Sequence, residues 1–175
     1  MTTFYFVRHG QADLALAGST IYNGQGYNMV TLSEVGIRQI EETAKRPELK
    51  EAQLIVSSPF GRALHTAAIL SKALQLDIRV ETKLHEWQPD VKGYTFLSDE
   101  EAKRRYDELT RCHGEPPEGT DCDWETATQM KRRTAEALEK YKQYDCVIVV
   151  CHGTLMQYVL GVPHPKNGEI AIFNS

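Results

Sequence analysis

Three short stretches of the chain end an apolar run in residues suited to gripping or attacking an anion. "FYFVRHGQ" delivers Arg8 and His9 onto Gly10, "LIVSSPFGR" delivers Ser57, Ser58 and then Arg62, and "CVIVVCHG" delivers His152 onto Gly153. Guanidinium forks match phosphate oxygens. An imidazole with an ordinary pKa of about 6.5 is largely neutral at pH 7 and is a competent nucleophile toward phosphorus. One ring nitrogen of His9 would attack, and the other would donate to a main-chain carbonyl. Charge developing on the equatorial oxygens would be met by Arg8, Arg62 and His152. The leaving oxygen needs an acid. "LHEWQPD" offers Glu86 and Asp90, and the residues alone leave both open.

Such a site needs elements that bring these stretches to one place. Residues 3–8 read as a strand, and "LSEVGIRQIEETAKR" reads as a helix capped by Ser33 or Thr31. "AQLIVSS" is a second strand, followed by a helix with Pro59 at its first position, where a missing N–H is tolerated. "LDIRVE" is a third strand. Residues 98–111 and 123–143 read as helices around the polar loop "CHGEPPEGTD". "DCVIVVC" is continuous, apolar and β-branched, the pattern of a strand buried on both faces. "GTLMQYVLG" is a short helix ending at Gly161, and "GEIAIFN" is a last strand. Strand–helix alternation predicts a three-layer α/β/α sandwich around a mainly parallel sheet, as one domain over residues 1–175. Ligands in such sheets bind at the carboxyl ends of the strands. That is where all three stretches terminate, with two helix N-termini expected to add free N–H groups.

"VRHGQ", "SSPFGRALHTA", "LHE" and "VVCHG", in this order over nearly the whole chain, resemble the histidine phosphatase superfamily, also called phosphoglycerate mutase-like. "LSEVGIRQ" resembles that family's Leu-Thr-x-x-Gly-x-x-Gln helix start. The resemblance implies a phosphoglycerate mutase-like fold and a metal-independent phosphatase acting on phosphomonoesters, with no cofactor. It implies that His9 is the phosphorylated residue and that Arg8, Arg62 and His152 form the phosphate pocket, with Gly10 and Gly153 beside them. It implies Glu86 as proton donor and then as the base that activates water. Departures stand beside the matches. Ala12 and Ala15 fill positions where many members carry Ser or Thr and Asn, and Asn23 or Asn28 is the candidate substitute. The family's Gly-Glu-Ser before the long helix reads here as Gly119-Thr120-Asp121. Cys151 stands where Ser or Thr is common, and His65 where Gln is usual.

The remaining features are bland. The 175 residues carry a net charge of −4, which disfavours nucleic acid or an anionic membrane as main partner. "CVIVVC" is far too short to span a bilayer, and "MTTFYFVRHG" has no leader character, so the expected location is the cytoplasm. Cys112, His113 and Cys122 lack the CxxC spacing of a zinc site, and Cys146 and Cys151 read as core thiols. Lys131-Arg132-Arg133 reads as a solvated helix face, and His113 and His164 as solvated loop residues; His65 reads as packing or surface. His85, Trp87, Trp124, Tyr22 and Tyr27 are core or pocket-wall candidates. The first long loop and residues 88–122 are the natural lids. The expected partner is a small-molecule phosphomonoester, with a phosphoprotein as the larger option. Two other readings use the same residues: a mutase-type phosphoryl transferase, which needs a second anion subsite and a cover against water, and a non-catalytic phosphate-binding protein. The roughly 37 residues between Glu86 and Trp124 make a short cover.

Overall fold

Alternation along the strands decides the layering. In β1 (Thr3–Arg8), Phe4 and Phe6 pack into one buried cluster and Val7 into another. In β2 (Leu54–Ser57), Leu54 and Val56 join the first cluster and Ile55 the second. In β4 (Cys146–Cys151), Val147, Val149 and Cys151 oppose Cys146, Ile148 and Val150 in the same way. Successive side chains leave a strand on opposite faces, so each strand feeds two cores and helices must cover both sides. In this computed structural model, which describes residues 1–16, 24–92 and 97–175, α1 (Glu34–Thr43) and α2 (Gly61–Leu74) cover one face. The other is covered by α3 (Asp99–Arg111), α4 (Ala127–Glu139) and α5 (Gly153–Leu160).

The sheet order is β3-β2-β4-β1-β5, with β3 at Ile78–Val80 and β5 at Ile170–Asn174. The first four strands are parallel, and β5 runs antiparallel to β1 at the edge. All six β4 residues are buried, whereas β3 is short and Val80 is exposed. A fully buried Val, Ile or Phe contributes roughly 2 kcal/mol. The centre of the sheet is therefore the firmest part of the molecule, and β1 and β4 carry His9 and His152 at their carboxyl ends.

Two helix starts differ from the expectation. The second helix begins at Gly61, with Phe60 extended as its N-cap and Pro59 outside it. Pro59 biases Ser58 toward extended backbone. Gly61 lies so close to the neighbouring chain that a Cβ there would sit 2.3 Å from the Met29 carbonyl oxygen. The long helix begins at Ala127 rather than 123, because Thr126 and Gln129 form a reciprocal capping box. No helix among the described residues is long and apolar enough to cross a membrane.

Candidate active site

His9 ends β1 and is only 7% exposed. Its Nδ1 lies 2.7 Å from the Gly10 carbonyl oxygen, which can only accept, so Nδ1 carries the proton. Nε2 accepts from Arg62 Nε at 3.2 Å, and a guanidinium can only donate. The ring is thus fixed as the tautomer with its lone pair on Nε2. Burial first, and then the Arg62 charge, push its pKa down to about 3. The backbone is tied in several places. His9 N–H donates to the Cys151 carbonyl, Asn167 Nδ2 donates to the His9 carbonyl at 2.9 Å, and Gly10 N–H donates to Thr66 Oγ1 at 3.1 Å.

The "LSEVGIRQ" segment is the platform beneath this turn. Ser33 caps α1. Gly36 passes so close that a Cβ would lie 2.2 Å from the Gln11 carbonyl oxygen, and a Cβ on Gly10 would lie 2.6 Å from that of Gly36. Gln39 Oε1 accepts from Gln11 N–H at 2.9 Å.

Arg62, in the first turn of α2, is 5% exposed, and its Cζ lies 5.2 Å from the ring centroids of both Tyr27 and Phe60. His152 is fully buried, with Nε2 2.7 Å from Ser58 Oγ and its ring 5.2 Å from that of His9. Burial holds its pKa well below the ordinary imidazole value. Arg8 donates through Nη1 to the Pro165 carbonyl. Gly153 is close-packed, since a Cβ there would fall 2.5 Å from the His164 ring and 3.1 Å from Arg8 Nε. Burial lowers the pKa of both guanidinium groups and Glu86 raises it, so the carboxylate lies within their field. Arg8 Nε, Arg62 Nη1 and His152 Nδ1 are buried and have no hydrogen-bond partner among the described residues. Leaving such a group dry and unpaired costs about 1–3 kcal/mol, more when it is charged. An anion with several acceptor oxygens removes that cost.

The two carboxylate candidates are placed differently. Glu86 Oε1 accepts from Trp87 N–H and Leu155 N–H, and Oε2 from Thr154 N–H at 3.2 Å. Glu86 therefore occupies the N-terminus of α5, which corrects the expectation that these amides stay free for substrate. Asp90 accepts from Lys92 N–H and faces Arg105 of α3 at 3.8 Å. Arg105 also pairs with Glu101 and Asp123 and donates to the Pro89 carbonyl. Arg104 pairs with Glu101 and Glu108.

Behind Glu86 lies a network that sequence reasoning missed. Glu125 and Arg133 are paired through two hydrogen bonds, and Arg133 Nη1 donates to the Lys83 carbonyl. Gln88 N–H donates to Glu125 Oε2, and Trp87 Nε1 to the Glu125 carbonyl. The loop that carries Glu86 is thus pinned on both sides of it. Arg133 is not part of a solvated face: its side chain is 12% exposed. The signal was its place three residues after Met130 and four before Ala137, both buried. Because the long helix starts at Ala127, the Glu and hydroxyl residue before it are Glu125 and Thr126, not Thr120 and Asp121.

Other expectations resolve individually. Trp87 and Trp124 belong to the core. Ala12 bridges to Leu32, and Ala15 N–H donates to Asp13. His65 accepts from Leu32 N–H at 3.3 Å, a structural role. His85 directs Nδ1 at the Glu86 carbonyl. His113 is exposed, whereas His164, though exposed, lies against Gly153 at the site rim. Asn28 lies in the 3-10 turn Gly24–Met29; Asn23 and Tyr22 fall outside the described residues. Among the described residues no group of three or more His, Cys, Asp or Glu is placed to share a metal ion.

The family model described as histidine phosphatase superfamily (branch 1) matches residues 4–166. The probable phosphoglycerate mutase GpmB of Proteus mirabilis is 28% identical over 174 residues, covering 93% of this chain and 77% of that protein. Its namesake in Yersinia pestis is 29% identical, covering 99% and 82%. Among solved structures, Bacillus stearothermophilus YhfR has a TM-score of 0.72 at 22% identity, over 98% of this chain and 90% of that one. A mycobacterial glucosyl-3-phosphoglycerate phosphatase, Rv2419c, has a TM-score of 0.70 at 21% identity, over 98% and 89%. The chain belongs to the histidine phosphatase superfamily, and it shares the α/β fold of these structures.

Proposed function

We propose that this chain is a phosphomonoester hydrolase that works through a phosphohistidine on His9, without a metal. The observation that carries the reading is the tautomer-fixed, neutral His9 Nε2 set among three buried nitrogens that lack partners among the described residues. Nε2 attacks phosphorus, forming the N–P bond as the P–O bond to the alcohol breaks. Arg8, Arg62 and His152 take the charge on the equatorial oxygens. Glu86 gives its proton to the leaving oxygen. The resulting carboxylate then draws a proton from water, whose oxygen attacks phospho-His9 and releases inorganic phosphate.

Mutase transfer is the second reading, because relatives named probable phosphoglycerate mutase match along most of the chain. It begins with the same attack and differs in needing a second anion subsite. Of the α3 arginines that such a subsite would draw on, Arg104 and Arg105 are already paired with carboxylates, and Arg111 is exposed at the far end of the helix. The decisive assay compares phosphate release from simple monoesters with interconversion of 2- and 3-phosphoglycerate, with and without 2,3-bisphosphoglycerate and in the presence of a chelator. Phosphate release with little or no interconversion is expected. Mutase turnover above the phosphatase rate, or loss of activity to the chelator, contradicts the proposal.

A further inference from the structure

The approach to His9 is aromatic on one side, and most cations on the elements around Glu86 are already paired with carboxylates. Phe60 caps α2 and is half-buried; its ring lies 5.2 Å from that of His152, 6.4 Å from that of His85 and 5.2 Å from Arg62 Cζ. Tyr27, 36% exposed, places its ring the same distance from Arg62 Cζ. The 24–29 turn that carries Tyr27 ends against Gly61, where a Cβ would sit 2.3 Å from the Met29 carbonyl oxygen. The guanidinium that grips the phosphate therefore carries a ring on each of two neighbours, and whatever is esterified to that phosphate passes them.

Charge argues in the same direction. Of the cations on the loop around Glu86 and on α3 and α4, Lys83, Lys92, Lys103, Arg104, Arg105 and Arg133 each pair with a carboxylate, and Arg111, Lys131 and Arg132 are exposed to solvent. Lys166 is exposed and lines a groove with His164, Pro165, Ile172 and Phe173. The two stretches outside the described residues, 17–23 and 93–96, contain no Lys, Arg or His. Two further ionisable side chains lie at the mouth: Glu86, in the field of both guanidinium groups, and His164 at the rim, whose pKa burial and then the Arg8 charge push below the ordinary imidazole value. His85 is held neutral near pH 7, chiefly by burial and then by Arg133.

We propose that the site selects monoesters whose alcohol carries a flat apolar group, aromatic above all, and no second anionic group, with Phe60 and Tyr27 as specificity-determining walls. This rests on the phosphate-clamp reading above, but its test needs no turnover. Phenylphosphonate, methylphosphonate and phosphonoacetate are titrated calorimetrically into the intact protein. Phenylphosphonate is expected to bind about tenfold more tightly than methylphosphonate, the size of a good ring–ring contact. Phosphonoacetate is expected to gain nothing over methylphosphonate. The phenyl advantage should shrink to about threefold or less in Phe60→Ala and in Tyr27→Ala, the latter an exposed position where folding is not at stake. Equal binding of phenyl- and methylphosphonate, an advantage that survives both substitutions, or tighter binding of phosphonoacetate overturns the proposal. Failure of the hydrolase reading would show separately, as absence of phosphate release from every monoester despite this binding order.

Discussion

The anion clamp and the loop that carries Glu86 meet at the mouth of the site and are built on opposite plans. In the clamp, Arg8, Arg62 and His152 each leave a buried nitrogen without a partner among the described residues. In the loop, both Glu86 oxygens accept N–H groups, and the Glu125–Arg133 pair behind it reaches Lys83, Trp87 and Gln88. One region holds hydrogen-bonding capacity for a visitor, while the other spends it internally to fix a single side chain. Substitutions in the clamp should therefore act on binding and rate, and substitutions behind the loop on folding and on the proton-transfer step.

The largest effect is expected in the clamp. Arg62→Lys keeps the charge but loses the planar fork that meets both His9 and an oxyanion. Steady-state kinetics should show kcat/KM down about 100-fold or more, with the melting temperature little changed. Near-normal kinetics would mean that the second strand does not feed the site.

Behind the loop the balance reverses. Arg133→Ala leaves Glu125 charged, 7% exposed and unpaired. Removing one member of a buried pair costs about 3 kcal/mol or more, and urea unfolding should report it. Removing both, in Glu125→Ala with Arg133→Ala, should recover part of the loss. Additive losses would show that the pair is not a unit.

Glu86 joins the two regions and should show a smaller, selective effect. Glu86→Gln should slow an alkyl phosphate at least about tenfold more than p-nitrophenyl phosphate, whose leaving group needs little protonation. Equal slowing, or a selective effect in Asp90→Asn instead, would move the acid role to Asp90.

A pH-dependent effect concerns the buried imidazole itself. Unfolded His9 takes up a proton near pH 6.5, whereas the folded ring does so only near 3. Its stabilising contribution is complete above about pH 6.5 and declines as pH falls from there toward 3, by at most about 1.4 kcal/mol per pH unit. Unfolding free energies measured from pH 7 to 4 should fall less steeply in His9→Ala. An unchanged slope would mean that the ring is already protonated in the folded protein.

Much of this was legible in the sequence because local pattern and global fold agree. Continuous apolar strands ending in Arg-His-Gly, Ser-Ser-Pro and His-Gly announce a parallel sheet with its chemistry at one edge, and the family motifs chose Glu86. The supports were less visible because they join residues far apart. Asn167 holds the His9 carbonyl across 158 positions, and the carbonyl of Pro165 orients Arg8 across 157. A lone Asn in "HPKNGE" carries no periodicity to read. Arg133 sat in a run of three basic residues, where composition suggested solvent and only the helical phase pointed inward. The Phe60 start of α2 depended on a close approach at Gly61 that no local rule contains.

The central claim is that His9 Nε2 becomes phosphorylated. Rapid mixing with a substrate labelled in its phosphoryl group, followed by an alkaline quench, tests it directly. The wild-type protein should carry up to one label per chain, stable to base, lost in acid and mapping to His9, and His9→Ala should carry none. Label that survives acid, label that maps to a serine or cysteine, or full turnover in His9→Ala would contradict the account.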